Sequence, residues 1–245
     1  MLMGGLLPAM LMTACASSGP DLQGLDADAL YQVGERALAE RQWDEAVRAF
    51  ERFVVSHTSD DRYQEARYRL GEAYFGDGEY VSAAAEFNRL AQDYPGSEWA
   101  DDARFQVCRS YERLSPPVEL DQQYTYSAIE HCASLVQYFP NSEFVPRARE
   151  IITALRNKLG TKVYEAGEWY RGRDLIDSAI IQYQMVLEEY PDTDAAPRAL
   201  LRLHESYREL GYDEEANAAR ARLLADYPDS AEARGLGGGG TGTAP

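Results

Sequence analysis

The sequence is short of lysine. Only Lys158 and Lys162 occur, and with the arginines they make 24 basic residues against 41 acidic ones, a formal charge of −17. That balance excludes non-specific nucleic-acid binding, which needs basic surface to displace counterions. It also excludes a polybasic patch for anionic lipid. Cysteine is scarce: Cys15, Cys108 and Cys132. No Cys/His cluster has zinc spacing, and His57, His131 and His204 stand apart, so neither a metal nor another cofactor is expected. No stretch reaches the roughly eighteen apolar residues of a spanning helix. A glycine-rich phosphate loop, GxSxG and HExxH are all missing. Adjacent carboxylates such as Asp101–Asp102 and Glu188–Glu189 diverge on a helix and read as surface charge. The chain is expected not to be an enzyme.

What is present begins with a composition of 45% apolar and 27% charged residues, which suits a folded globular protein. The N-terminus is apolar to Met12, then small, then polar from Ser17, and reads as a secretion signal. No Lys or Arg precedes Arg36, which points to a translation start upstream of Met1. Leu11-Met12-Thr13-Ala14-Cys15 resembles a bacterial lipobox, with Met12 where Leu is usual. Lipidation of Cys15 is expected, with residues 1–14 as signal and 15–26 as a flexible tether. Ala16, not Asp, follows the cysteine, so outer-membrane sorting is expected.

The body of the chain repeats. YPGS (Tyr94–Ser97), FPNS (Phe139–Ser142), YPDT (Tyr190–Thr193) and YPDS (Tyr227–Ser230) each follow an apolar run with helical period, and His57-Thr58-Ser59-Asp60 is a degenerate fifth copy. Each phrase ends in a small hydroxyl residue, expected to cap the next helix. Twelve positions before each proline (or Thr58) stands Ala46, Ala83, Ala128, Ala179 or Ala216. Twelve further back stand Gly34, Gly71, Gly167 and His204, with Cys108 after eight inserted residues. A large ring follows the alanine by four in Phe50, Phe87 and Tyr183. Small residues let two antiparallel helices approach, and rings fill the gap. This is the tetratricopeptide pattern. The fold class expected is all-α: a superhelical solenoid of about five helix hairpins over 27–234, with a disordered Gly-rich tail at 235–245.

The period is 37 residues, but two spacings are longer. Pro95 to Pro140 is 45, with the surplus around Ser115–Asp121, where two prolines demand a loop. Pro140 to Pro191 is 51, with no proline after Pro146 until Pro191. The fourteen extra residues are close to four helical turns, so one long helix keeps its buried face in register.

These insertions, with the Asp-Gln…Thr…Ala segment after Leu120, "FPNS", "LRNKL" and "EWYRGR", resemble the BamD family of outer-membrane assembly lipoproteins. The resemblance runs from the lipobox to Ser230. Gly160-Thr161 departs from the family wording, and the chain is more acidic. The resemblance implies a periplasmic scaffold, lipid-anchored on the inner face of the outer membrane and serving β-barrel assembly. The C-terminal repeats would contact the periplasmic domain of BamA, beside other assembly-machine lipoproteins. The N-terminal repeats would contact unfolded outer-membrane proteins. The alternative is a generic periplasmic tetratricopeptide adaptor for envelope or cell-division proteins; no heptad run precedes Asp28, which favours the first reading.

First-helix positions suggest the groove. Tyr31, Tyr68 and Phe105 would line it with aromatic surface suited to peptide, or else serve as inter-helix core. Its N-terminal half reads as acidic, through Asp28, Glu35, Glu65 and Glu72. Arg67 or Arg69 would receive a substrate carboxylate, and Arg198 and Arg208 would face BamA. Lys158 and Lys162, with Arg147, Arg149, Arg156, Arg171 and Arg173, form a basic island, read as a solvated helix face or a docking patch. Cys108 and Cys132 occupy facing positions of one hairpin, either bonded or as two buried thiols. Replacing Cys15 by Ser is expected to abolish labelling with palmitate and release the protein to the soluble fraction. Continued acylation of the variant would remove the anchor from Cys15.

Overall fold

The computed structural model describes residues 21–237; Cys15 and most of the expected signal, tether and tail lie outside that range. Among the described residues all regular structure is helical. Ten helices form five hairpins: α1 (Ala27–Ala39) with α2 (Trp43–Ser56), α3 (Tyr63–Asp77) with α4 (Tyr80–Asp93), α5 (Ala100–Leu114) with α6 (Gln123–Tyr138), α7 (Val145–Arg171) with α8 (Ile176–Glu189), and α9 (Ala195–Leu210) with α10 (Asp213–Asp226). A short α11 (Ala231–Gly237) packs on α9 and α10 and runs into the segment expected to be tail. Each helix touches its neighbours in sequence, the one-dimensional stacking of a solenoid.

The hairpins close through one contact. A β-carbon on Gly34 would stand 2.6 Å from the Phe50 ring, and one on Gly71 would stand 2.6 Å from the Phe87 ring. Tyr183 fills the same place against Gly167. All three rings are fully buried. In the third hairpin the corresponding pair is Cys108 and Cys132, both fully buried, with Cα atoms 4.7 Å apart and the sulfurs bonded. A disulfide there takes the place of a ring against a glycine.

The hydroxyl residues of the YP phrases do not start the next helices as expected. Helices α5, α7 and α9 begin after Trp99, Phe144 and Asp194, with no side-chain cap. Ser97 and Ser142 instead accept from the backbone N–H two residues on, at 3.2 and 3.3 Å, inside an extra turn. Only Ser230 caps in the expected manner, accepting from Ala233 N at 3.1 Å. Two hairpins turn through a left-handed glycine, Gly78 (φ 86°) and Gly211 (φ 79°).

Both insertions fall where expected. Residues 115–122 are a loop between α5 and α6, and α7 is a single helix of 27 residues, about 40 Å long. The two meet. Lys158 Nζ donates to Ser115 Oγ at 2.8 Å and to the Pro116 carbonyl. Lys162 Nζ donates to the carbonyls of Val118 (2.6 Å) and Leu120 (2.9 Å).

Valine at Gly71 would collide with the Phe87 ring and is expected to lower stability by about 1–3 kcal/mol. Alanine at Phe87 would empty the same site and cost about 3–5 kcal/mol. Denaturant unfolding of the two variants measures both, and unchanged midpoints would contradict the contact. Alkylation without reductant is expected to leave Cys108 and Cys132 unmodified after unfolding. Reduction should lower stability by about 2–4 kcal/mol.

Candidate functional site

The first helices of the hairpins line up and join through hydrogen bonds and ion pairs spaced 34 residues apart. Arg62 pairs with Asp28 at 2.8 Å, and Arg69 with Glu35 at 3.2 Å. The Tyr68 hydroxyl donates to Asp102 at 2.7 Å, and Gln106 donates to both partners. At the other end Arg202 grips Glu168 through two nitrogens, each at 3.0 Å, and adds Glu205 at 2.8 Å. Two parallel N–H donors on one carboxylate fix direction as well as distance. These links set the stacking angle of one repeat on the next.

Several expected groove residues belong to this framework. Tyr68 (3% exposed) and Phe105 (6%) are inter-helix core, corrected from the groove because neighbouring helices close over them. Tyr68 packs on Phe87 and Trp99, and Phe105 stacks on Phe144 at 4.8 Å. Burial, together with the Asp102 hydrogen bond, pushes the Tyr68 hydroxyl above its ordinary pKa. Tyr31 is half-buried, edge-on to Phe50 and Phe53, with the Arg62 guanidinium 5.0 Å over its ring. The Arg62 hydrogen bonds hold Asp60 at about 2, so this corner stays ionised further into acid than an ordinary aspartate would.

The arginines expected to receive a carboxylate are already engaged. Arg67 is buried, donating to Glu86 and to the Tyr63 hydroxyl. Arg69 sits among three carboxylates, Glu35, Glu65 and Glu72. The N-terminal half is therefore a mixed network rather than an acidic one. Burial pushes the Glu35 carboxyl up against the pull of Arg69, with Glu65 and Glu72 adding to the rise. Glu35 Oε1 and Arg69 Nε lie close but not aligned for a hydrogen bond.

What remains open is a cleft of about 470 Å³ across α1, α3 and α5. Leu38, Trp43 and Phe75 give it an apolar floor; Glu35, Glu72, Gln106 and Arg109 stand around it. Arg109 lies 4.9 Å over the Phe75 ring and hydrogen-bonds Gln106; among the described residues no carboxylate is within ion-pair distance of it. Trp43 and Phe75 were not legible as lining, because they fall outside the first-helix positions counted from each glycine. A larger cleft of about 1020 Å³ lies between α2 and α4 over α3, where Arg48, Arg52 and Arg89 mix with Glu51 and Glu86.

At the C-terminal end Arg198 covers the Tyr164 ring at 4.5 Å and donates to the Asp194 carbonyl. Arg208 is exposed beside His204, Glu205 and Glu209. The basic island is neither a bare solvated face nor a continuous patch. Arg156 binds Asp192 and the Glu189 carbonyl, Arg147 binds Glu150, Arg171 binds Ser206 and Glu209, and Arg173 covers Trp169 at 3.6 Å.

Five hairpins, a glycine–ring closure and a peptide-sized cleft define a tetratricopeptide-type repeat protein. Residues 24–223 match the YfiO family of outer membrane lipoproteins, and the chain belongs to that family. It is similar to the outer membrane protein assembly factor BamD of Caulobacter vibrioides, 33% identical over 111 residues, 45% of this chain and 36% of that protein. BamD of Rickettsia prowazekii is 29% identical over 121 residues, 49% of this chain and 48% of that protein. BamD of Vibrio cholerae is 31% identical over 91 residues, 37% of this chain and 38% of that protein. The chain thus spans about half or less of the curated relatives it matches. Among the described residues no helix is long and apolar enough to cross a membrane.

Replacing Arg69 by Met would leave three carboxylates facing one another. These groups are partly exposed, so the expected loss is about 1 kcal/mol, discounted for screening. It should shrink in 1 M salt, where the screening length falls to about 3 Å. Equal losses at low and high salt would assign the effect to packing instead.

Proposed function

We propose that the chain is an outer-membrane lipoprotein of the β-barrel assembly machinery, tethered at Cys15 and acting in the periplasm as a scaffold without catalysis. The observation that carries this reading is the family match over 24–223, which takes in the five hairpins up to the last three residues of α10. Its partners on this reading are the periplasmic domain of BamA, other lipoproteins of the machine and unfolded outer-membrane proteins.

The N-terminal cleft supports the substrate part of the reading. An extended segment of an unfolded barrel protein has alternating apolar side chains and free backbone groups. The floor of Leu38, Trp43 and Phe75 suits one aromatic or aliphatic side chain, since flat rings give apolar area at low entropy cost. Arg109, not Arg67 or Arg69, is the cation placed to meet a carboxylate there. The exposed Arg208, at the opposite end of the array, is the residue assigned to BamA; Arg198 is partly occupied by Tyr164 and Asp194.

Affinity purification after crosslinking in the native envelope tests the assignment. BamA is expected among the recovered proteins, and recovery of cell-division proteins alone would overturn the reading in favour of a generic adaptor. Arg208→Glu is expected to reduce BamA recovery at least about fivefold. Arg109→Glu is expected to weaken binding of a barrel-derived peptide about tenfold while leaving BamA recovery intact. Peptide affinity that ignores Arg109 would move the substrate site elsewhere.

A further inference from the structure

The chain has only two lysines and 41 acidic residues, yet among the described residues neither lysine pairs with a carboxylate. Both spend their donors on the neutral oxygens of the 115–121 loop, described above. Gln122, which is 4% exposed, adds the Pro117 carbonyl (2.8 Å) and also donates to the Val118 (3.4 Å) and Leu120 (3.0 Å) carbonyls that Lys162 takes. Thr125 holds the Gln122 amide oxygen at 2.7 Å. A loop with two prolines cannot satisfy its carbonyls by forming helix, so side chains do it. A long flexible stem bearing three donors is the side chain suited to reach several carbonyls at once.

The opposite flank of the same stretch of α7 is also occupied. Arg156 binds Asp192 and the Glu189 carbonyl, and the Asn157 side chain accepts from Asp194 N at 2.9 Å. Gly160 leaves room for Thr193; a β-carbon there would stand 2.6 Å from Thr193 Oγ1. Thus the turn between α8 and α9 seats on residues 156–160 while the proline loop seats on 158–162. The four extra turns of α7 carry α8 about 21 Å along the helix. The start of α6 then meets the end of α8, with the Tyr126 and Tyr190 hydroxyls 3.3 Å apart. The step leaves the middle of α7 without the neighbour that regular stacking would supply, and the loop fills that place.

We propose that the two insertions are a matched pair forming a latch, in which Lys158 and Lys162 lock the proline loop against α7. The latch fixes the orientation of hairpins one to three relative to hairpins four and five. It is independent of which partners the two ends bind. Opening it would exchange these charge-assisted hydrogen bonds for bonds to water, with a modest net loss at each. Burial, with Lys162 nearby, already pulls the Lys158 pKa below its usual value.

Lys158→Met/Lys162→Met keeps the stems and removes the donors. Hydrogen exchange on the full, oxidised chain should show protection around 115–126 and 156–162 falling by about tenfold or more, with the α1–α4 core unchanged. Small-angle scattering should show a broader distribution of end-to-end distances. Unchanged protection and an unchanged scattering profile would overturn the latch, as would protection lost uniformly along the chain. Should the double variant not fold, native amine acylation decides. In the unmodified protein both lysines should react at least about tenfold more slowly than after unfolding in urea. Equal rates would overturn the proposal.

Discussion

The array depends on one steric arrangement: a side chain of the second helix lying where a β-carbon of the first would be. Phe50 against Gly34, Phe87 against Gly71 and Tyr183 against Gly167 bring the two helices of a hairpin close enough to exclude water from the alanines between them. Removing apolar surface from water supplies the stabilisation, and close packing makes it intolerant of even one added carbon. The third hairpin reaches the same closeness with two sulfurs in place of hydrogen and ring. The fifth departs again, since His204 at the glycine position is buried and its Nδ1 bonds the Ala216 carbonyl at 2.8 Å.

Once hairpins are closed, the first helices must be held at a fixed pitch. The 34-residue contacts do this by joining equivalent faces of successive helices, and they consume most of the groove's charged side chains in doing so. This explains why a chain of charge −17 does not show a bare acidic groove. On the proposed function, binding is left to what the network does not claim: the Leu38–Trp43–Phe75 floor, Arg109, and Arg208 at the far end.

The regular part of the fold was legible because helical period and the glycine-to-ring spacing are short-range properties. The loop at 115–122 and the length of α7 were legible for a similar reason, since two prolines forbid helix and fourteen residues preserve its face. The groove was less legible. Positions three before each glycine were equally consistent with groove and core, and burial sends Tyr68 and Phe105 to the core while leaving Tyr31 half-buried. Glu65 and Glu72 stand at helical ion-pair spacing from Arg69, but nothing in the sequence showed that Glu35 and Glu86 would reach Arg69 and Arg67 from other helices.

The sequence alone therefore determined the number of hairpins, where they turn and where the array becomes irregular, because each is written in residue types at fixed spacing; the family was read from the resemblance of whole phrases. The tertiary structure decided which aromatics are free, which arginines are available and what the two lysines hold. Those depend on which residues of different helices, from 19 to 44 positions apart, are brought side by side, and a pattern read along one chain has no term for that distance.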